Sequence, residues 1–526
     1  MGRTFDRHEI INTPEAKGMR CAPSARGRLV NASKLIARRR VGLKPTHSIG
    51  TGYLENPGAY RRQKLMALTS PEAARALQLL QVDQHRFDRS ETVQGLRLQA
   101  DFAGLDDTEF APPDCQMAAG PDHLVVTVNA SWAVFDKTGR QLLRRNFADM
   151  FENLAENPTI FKPRVVYDQS RGGWLLAACG ISADQQQSWF FLAASHGPDP
   201  LGEWWIWALD AGIDGSQRTG LRPDALGLAV DASSVYLTAN MFNAQGQFVY
   251  AKLRLLFKKD MQTGGILHGW DFWQLRNFDG TPAFGLQPAV NLRSPDAQYL
   301  LNATGDGQGL TQWKVTQLTR QAPALSRKFI ATVPYQLAPN ARQQKIEREI
   351  ETGDTRLCQV VYRHGMLWTA HSIAVNWGEN LNYSAIQWFQ INPKAGCVTQ
   401  QGIFGAPSYH YFCPAVVVDG EGNMVMVFNR VSEADPPSIC YTGRFPTDEQ
   451  NVLHESAELQ QSSMAGASEW SLCSASAAAP EEDAVWIMGQ YVATESDWAT
   501  WVGAVGRARE GRPATVSPST GQTVYA

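Results

Sequence analysis

The sequence lacks most of the short patterns that carry known chemistry. Its eight cysteines form no C-x-x-C pair, and no histidine pair stands at zinc-finger spacing, so neither a zinc finger nor a thioredoxin-like redox site is indicated. The chain also has no G-x-S-x-G elbow, no phosphate-binding glycine loop and no Asp-box of the type S-x-D-x-G-x-x-W. No apolar run approaches the roughly 18 residues of a transmembrane helix, and no secretory signal pattern is evident. We therefore expect a cytoplasmic protein without a cofactor.

Charge is distributed unevenly along the 526 residues, although the net charge is only −3. Residues 1–100 contain 18 Lys and Arg against 8 Asp and Glu, and the remainder contains 30 against 43. A basic arm on an acidic body favours contact either with an acidic partner or with the chain's own body. The densest basic stretch, Arg38, Arg39 and Arg40, is the candidate partner-binding segment. The acidic body argues against nucleic acid as the partner.

A weak repeat runs through most of the chain. Seven stretches share a short apolar segment, a polar break with the composition of a β-hairpin turn, and a second apolar segment. They start 49 to 69 residues apart, at Pro112, Phe161, Leu221, Leu286, Thr355, Phe412 and Trp470. Each copy has room for four short strands. This period predicts an all-β, seven-bladed β-propeller, because radial stacking of blades buries both faces of every sheet.

The remaining segments complete the predicted domain organisation, which is a basic N-terminal extension (1–104), the propeller (105–506) and a disordered tail (507–526). Ser70, Pro71 and Glu72 have the composition of a helix start and precede helical spacing, so one short helix is predicted at about 70–82. The charged stretch Asn340–Asp354 is expected to form a solvated loop or a short surface helix.

Two stretches carry a family resemblance. PPDCQMAAGPDHLVVTVNASWAVFDKTG (Pro112–Gly139) and KPRVVYDQSRGGW (Lys162–Trp174) resemble motifs of a family of mostly bacterial, often secreted seven-bladed propeller proteins without established chemistry. A weaker match, EWSLCSASAAAP followed by WATW, lies near the C-terminus. The resemblance covers about residues 105–505. It implies the same fold, and it leaves the N-terminal hundred residues unexplained.

The chain departs from the family pattern where the inner strands begin. The pattern has an acidic residue at this point, which is kept as Asp114 but replaced by Lys162 in the next copy. First strands of blades line the central channel, so these side chains should lie near its mouth. The candidate channel-mouth residues are Asp114, Lys162, Arg164, Arg222 and Asp224. A calcium ion needs several oxygen ligands, so this mixture of charges predicts no metal in the channel.

A second candidate site is the long polar-aromatic loop 376–383. Loops on a rigid scaffold often carry recognition, which makes Asn376, Trp377, Asn380 and Tyr383 the candidate binding residues of this loop. The tryptophan-rich segments GEWWIWALD and HGWDFWQL could stack on sugars or bases, but such aromatics more often pack between blades, and we expect packing here.

The sequence favours a non-catalytic β-propeller scaffold for protein–protein interaction, tethered to a larger assembly through its basic N-terminal arm. The alternative is a carbohydrate-active hydrolase or lyase acting at the channel mouth. General acid–base catalysis of that kind uses two side chains placed close together, and no two carboxylates are securely placed together by the pattern.

Overall fold

The computed structural model describes residues 9–10, 19–35, 52–73, 79–85, 95–106, 110–155, 157–292, 297–316, 322–466, 470, 474–480, 484–494 and 497–508. The candidate residues Arg38, Arg39 and Arg40 lie outside these ranges, as does the chain from residue 509 onward.

Seven antiparallel blades follow one another in chain order, which confirms the predicted β-propeller. Each blade begins with an inner strand close to the start of one sequence repeat. The strands of blades 1 to 3 are Gln116–Ala119, His123–Val128, Ser131–Asp136 and Gln141–Asn146; Thr159–Asp168, Gly173–Ile181, Ser188–Ser195 and Glu203–Asp210; and Arg222–Val230, Ser234–Phe242, Phe248–Phe257 and Gly269–Phe272.

The second half of the ring follows the same plan. The strands of blades 4 to 7 are Gln287–Pro288, Gln298–Ala303, Gly309–Thr316 and Ala324–Ala331; Val360–Arg363, Met366–Val375, Tyr383–Asn392 and Cys397–Gly405; His410–Val418, Met424–Val431, Ser438–Arg444 and Ala457–Gln461; and Ala475–Ala478, Ala484–Val492, Trp498–Arg507 and Leu96–Asp106. The short strand Val290–Asn291 pairs in parallel with Val360–Arg363 and links blade 4 to blade 5.

The N-terminal segment wraps around the ring and supplies strands to the outer edges of blades. These strands are Glu9–Ile10 on blade 4, Met19–Arg20 on blade 3, Arg28–Asn31 on blade 2, Leu80–Val82 on blade 5 and Leu96–Asp106 on blade 7. An exposed edge strand has unpaired N–H and C=O groups, and the added strands satisfy them. We call these parts of residues 9–106 the N-terminal belt. They bind the chain's own body, and Leu96–Asp106 crosses the predicted boundary at 104/105.

The helix predicted at about 70–82 is wrong within the described residues. A helix, α1, spans Pro57–Ala67, whereas 80–82 form a strand that pairs with Ile403–Gly405. The helix does begin with a polar cap residue followed by proline, as expected, but this start lies earlier in the chain. Asn56 accepts a hydrogen bond from the Ala59 amide, and Pro57 occupies the first helical turn. Pairing with blade 5 overrides helical propensity at 80–82.

The cores lie between neighbouring blades. Trp204 and Trp207 on the outer strand of blade 2 are fully buried on opposite faces of its sheet, the first against blade 1 and the second against blade 3. The expected packing role of GEWWIWALD therefore holds for these two rings. The minor elements are helix Phe147–Phe151, the 3₁₀ turns Ala32–Lys34 and Lys258–Asp260, and the hairpin of Ile213–Asp214 with Gln217–Arg218.

Candidate functional site

The inner strands of four blades are irregular where they begin. Asp114, Lys162, Ala225 and Cys413 have positive φ values of 47°, 52°, 52° and 53°, and in blades 2, 3 and 6 the pairing register shifts at this point. Such β-bulges re-aim side chains, and non-glycine residues with positive φ concentrate at functional or structurally constrained positions. The four positions lie at equivalent ends of inner strands, so they surround one end of the axial channel, which we call the upper mouth.

Three of the predicted channel-mouth residues form a buried ion cluster. Asp114 contacts Lys162 Nζ at 2.6 Å and Arg164 Nη1 at 3.1 Å, and all three residues are less than one tenth exposed. Burial alone would raise the pKa of Asp114, but the two cations outweigh it and hold the pKa below its usual value. This carboxylate is therefore an ionised anchor between blades 1 and 2, which is unsuited to proton donation.

The other two predicted channel-mouth residues, Asp224 and Arg222, bind different partners. Asp224 is buried and accepts hydrogen bonds from the Gly52 amide at 2.7 Å and from the Ala225 amide at 2.6 Å. The Arg222 guanidinium instead bonds to the side chain of Gln185 and the carbonyl of Asn243, away from Asp224. The structure thus unites Asp114, Lys162 and Arg164, and it does not bring Arg222 into that cluster.

The chain's own segments 52–70 and 335–356 cover the upper mouth, and we call them together the upper cover. Lys64 on α1 is 4 % exposed and donates to the carbonyls of Ala338 (2.9 Å) and Gly353 (2.6 Å) and to Thr352 Oγ1 (2.8 Å). Its ammonium also lies 3.5 Å from Glu351. Burial lowers the pKa of Lys64, and Glu351 partly offsets that effect.

Aromatic contacts extend the cover over blade 3. The rings of Tyr53 and Tyr60 stack with centroids 3.7 Å apart, and Tyr60 donates to Glu351 at 2.6 Å. The guanidinium of Arg356 lies 5.7 Å from the Tyr53 ring and forms an ion pair with Asp354 at 2.8 Å. The cover is therefore a packed and hydrogen-bonded structure on the propeller.

The charged stretch Asn340–Asp354 forms a loop, as predicted, and its charged middle is exposed at Lys345 and at 347–349, but parts of the stretch on either side are buried. Ala341 and Ile350 pair through their backbones and are fully buried, in a cluster with Phe412 and Trp470. The charged side chains dominate the composition of this stretch, whereas the two apolar residues that determine its burial give no periodic signal.

The predicted binding loop 376–383 receives the end of α1. The Asn382 side chain donates to the carbonyls of Ala67 and Ser70, both at 2.8 Å, and its backbone amide donates to the Leu68 carbonyl. Asn376 bonds within the loop, to the Glu379 carbonyl and Asn382.

The remaining candidates of this loop differ in exposure. Trp377 and Tyr383 are half-buried and Asn380 is exposed. The Trp377 ring packs over blade 5 beside Gly405, and the Tyr383 ring lies 5.1 Å from the His410 ring. The described contacts of the loop are therefore internal to this chain, and its exposed part is the tip at 378–380.

The axial channel itself forms a narrow cavity that is partly open to solvent. Every blade contributes to its wall, through Gln116, Arg164, Leu228, Gln287, Val361, Val417 and Ser476 among others. The wall includes Gln169, which lies in the turn where the inner strand of blade 2 ends. The channel therefore reaches the face opposite the upper cover, at what we call the lower mouth.

Sequence reasoning missed the residues that close the upper mouth. Lys64, Asn382 and Arg356 meet their partners only through the ring topology, and Lys64 lies 288 positions from Thr352. A lysine in a short helix of a basic segment has the pattern of a solvated side chain, so no local signal distinguishes it. In contrast, Asp114 and Arg164 lie at corresponding places in neighbouring repeats, and this correspondence was enough to predict that they lie close together.

Within the described part of the chain, no group of three or more His, Cys, Asp or Glu side chains is arranged to hold a metal ion. Nor does any helix in those same ranges have the length and apolar character needed to cross a membrane. Stoichiometric metal analysis of the purified protein remains the direct test of the predicted metal-free channel.

Comparison with known proteins gives similarity in structure only. No protein-family profile and no curated protein sequence matches the chain. Solved structures similar to it include an α-L-arabinanase of Penicillium chrysogenum in complex with arabinobiose (10 % identity, 77 % of this chain and 98 % of that one, TM-score 0.37). A quinohemoprotein alcohol dehydrogenase of Comamonas testosteroni is 12 % identical over 78 % of this chain and 68 % of that one, also with a TM-score of 0.37. These values support no argument about activity or substrate.

Proposed function

We propose that this protein is a non-catalytic β-propeller scaffold for protein–protein interaction, tethered to a larger assembly through the basic sequence near its N-terminus. The observation that carries the proposal is the upper cover. The charged side chains that gather at the upper mouth are buried beneath α1 and 335–356, where they hold the blades and the cover together. A substrate at that mouth would have to displace the buried Lys64 and its partners.

The tether is assigned to the basic stretch 36–51. The described residues on either side of it are bound to the propeller, at Arg28–Asn31 on blade 2 and at Gly52 on Asp224. Between these two anchors the sequence carries Arg38, Arg39, Arg40 and Lys44 and no acidic residue. Four like charges between two fixed points favour an acidic protein surface as partner.

Charge-neutralising substitution tests the tether better than truncation does. Deleting residues 1–68 would also remove three edge strands and α1, so loss of binding would have two explanations. The variant R38Q/R39Q/R40Q keeps the belt, and R61Q/R62Q/R218Q, three arginines exposed in the described structure, is its matched control.

The measurement is fluorescence anisotropy with labelled poly-L-glutamate as an acidic probe. We expect the first variant to bind about ten-fold more weakly, given roughly 0.2–1 kcal/mol per exposed charge pair, and the control to bind like the wild type. Wild-type binding should weaken between about 0.1 M and about 1 M salt, as the Debye length falls from about 10 Å to about 3 Å. Equal binding by the two variants would refute the tether, and affinity purification with both would then identify any partner.

The alternative function, a carbohydrate-active hydrolase or lyase at the channel mouth, has one observation in its favour, since Asp114, Lys162 and Arg164 do converge there. Two observations count against this function. Asp114 is held ionised between two cations, and Asp224 already accepts a hydrogen bond from the Gly52 amide. A polysaccharide panel assayed with the wild type, Arg164→Ala and Asp224→Ala decides between the two functions. Turnover by the wild type that both variants lose would overturn the scaffold proposal.

A further inference from the structure

Two buried polar side chains in the axial channel have hydrogen-bonding groups that the protein does not use. Arg164 is 7 % exposed and Gln287 is 6 % exposed, and both line the cavity. Arg164 uses Nη1 to reach Asp114 and the Pro163 carbonyl. Among the residues that the structure describes, its Nε and Nη2 and the whole Gln287 amide have no protein partner. Both residues are more than nine-tenths buried, and the unused groups face the cavity, so they are available to a ligand in the channel.

The charges around Arg164 favour an anion. One carboxylate, Asp114, neutralises two cations, Lys162 and Arg164, so this trio carries one net positive charge. A second trio, Asp224, Asp354 and Arg356, carries one net negative charge. The Asp224 carboxylate, however, is already satisfied by two backbone amides. The guanidinium edge that lines the cavity is therefore the group that can still accept a counterion.

The rest of the cavity wall contains both polar and apolar residues. The side chains of Val165, Leu228, Val361 and Val417 line it, and the polar pair Gln359 and Ser476 bond to each other. These apolar side chains also belong to the cores between blades, and an ion such as chloride or phosphate would make no use of the small apolar surface that they expose to the cavity. A molecule with one charged end and one apolar end would use both kinds of surface.

We propose that the axial channel binds a small carboxylate with a short apolar tail, which enters through the lower mouth. The planar guanidinium of Arg164 presents Nε and Nη2 to the two carboxylate oxygens, an arrangement that favours bidentate recognition. The Gln287 amide donates to the same carboxylate, and the tail packs against Val165, Leu228 and Val417. The upper cover excludes entry from the other side. This site is independent of the proposed scaffold function and gives the protein a way to sense or carry a metabolite.

Calorimetric titration with propionate and butyrate tests the proposal, with propionamide and butanamide as probes of the same shape without charge. We expect the carboxylates to bind at least about ten-fold more tightly than the amides. Phosphate and chloride are included as anions without a tail, and we expect both to bind more weakly than butyrate. Carboxylates and amides of equal affinity would overturn the proposal, as would the absence of any binding.

Variants locate the site. Arg164→Gln should abolish carboxylate binding, and Gln287→Ala should weaken it by about ten-fold or more, the effect of one hydrogen bond to a charged group. Ala477→Leu fills part of the channel without changing any charge, so it tests the site even if Arg164→Gln fails to fold. Arg218→Gln, an exposed arginine outside the channel, is the control. Wild-type affinity in Ala477→Leu would place the carboxylate elsewhere and refute the assignment.

Discussion

Replacing Lys64 by methionine tests whether a single buried ammonium holds the upper cover on the propeller. Lys64 donates to two carbonyls and one hydroxyl and lies beside the Glu351 carboxylate. Methionine keeps a long apolar stem of similar volume but has no donor. The substitution therefore removes the polar contacts while the packing of the stem is largely preserved.

The expected cost follows from what the ammonium leaves behind. An unsatisfied buried acceptor costs about 1–3 kcal/mol, and removing one partner of a buried ion pair costs about 3–5 kcal/mol. Two effects reduce this sum. The ammonium no longer has to be desolvated, and Glu351 keeps both some solvent contact and the hydrogen bond from Tyr60. We expect a net loss of about 3 kcal/mol in the local stability of the cover, at the lower end of the ion-pair range.

Hydrogen exchange of the α1 amides measures this local stability directly. A loss of about 3 kcal/mol corresponds to roughly 100-fold faster exchange, because each 1.4 kcal/mol changes an equilibrium constant ten-fold. The matched control is Arg61→Met, an exposed cation one turn away on the same helix, which should exchange like the wild type. Equal exchange in the two variants would refute the view that Lys64 anchors the cover.

Three further predictions concern groups at or beside the upper mouth. Asp114→Asn should lower the free energy of unfolding in urea by about 3–5 kcal/mol, because two buried cations lose their counterion. The pKa of Asp114 is depressed in the folded state. Its contribution to wild-type stability should therefore be present above the pKa of the unfolded state and be lost as the pH falls below that value. The His410 ring is buried and accepts a hydrogen bond from the Ser384 amide, and burial followed by nearby cations lowers its pKa to about 3. Only the unfolded state therefore gains a proton as the pH falls below about 6.5, so stability should drop by about 1.4 kcal/mol per pH unit for this group, and His410→Asn should flatten the measured slope by one proton. Gly52→Ala would bring a Cβ within 2.6 Å of Asp224 Oδ2 and should lower the melting temperature. Gly58→Ala on α1, where the Cβ would make only ordinary contacts of 3.5 Å or more, should raise it slightly.

The inner ring of the fold could be predicted from the sequence because each blade repeats the same local chemistry. An apolar strand, a turn with Gly, Asp, Asn or Ser and a second apolar strand recur seven times, so weak signals at individual positions support one another. The third strands Ser188–Ser195 and Ser438–Arg444 coincide with aromatic-anchored segments of the repeat. The convergence of Asp114, Lys162 and Arg164 follows from the same equivalence, because corresponding positions of neighbouring blades are close in space.

The cover and the belt could not be predicted in this way because they occur once and depend on distant partners. Strand Leu80–Val82 exists through pairing with blade 5, and its sequence alone has helical spacing. The stretch Asn340–Asp354 is rich in charge, yet Ala341 and Ile350 fix its position by burial. In both cases a tertiary contact decides against the local propensity, and a single sequence contains no second copy that would reveal it.

The two ends of the axial channel also differ in a way that bears on function. At the upper mouth the polar groups are satisfied by other parts of the same chain. The Gly52 amide donates to Asp224, Lys64 donates to the 338–353 segment, and Asn382 donates to the end of α1. At the lower mouth Gln169 lies in a short hairpin turn and is exposed. Polar groups that remain unused, on Arg164 and Gln287, face the cavity that opens there. A closed, self-satisfied face is suited to a structural role, and an open channel with unused donors is suited to a small ligand, so the scaffold and the ligand site occupy different parts of one ring without competing for the same residues.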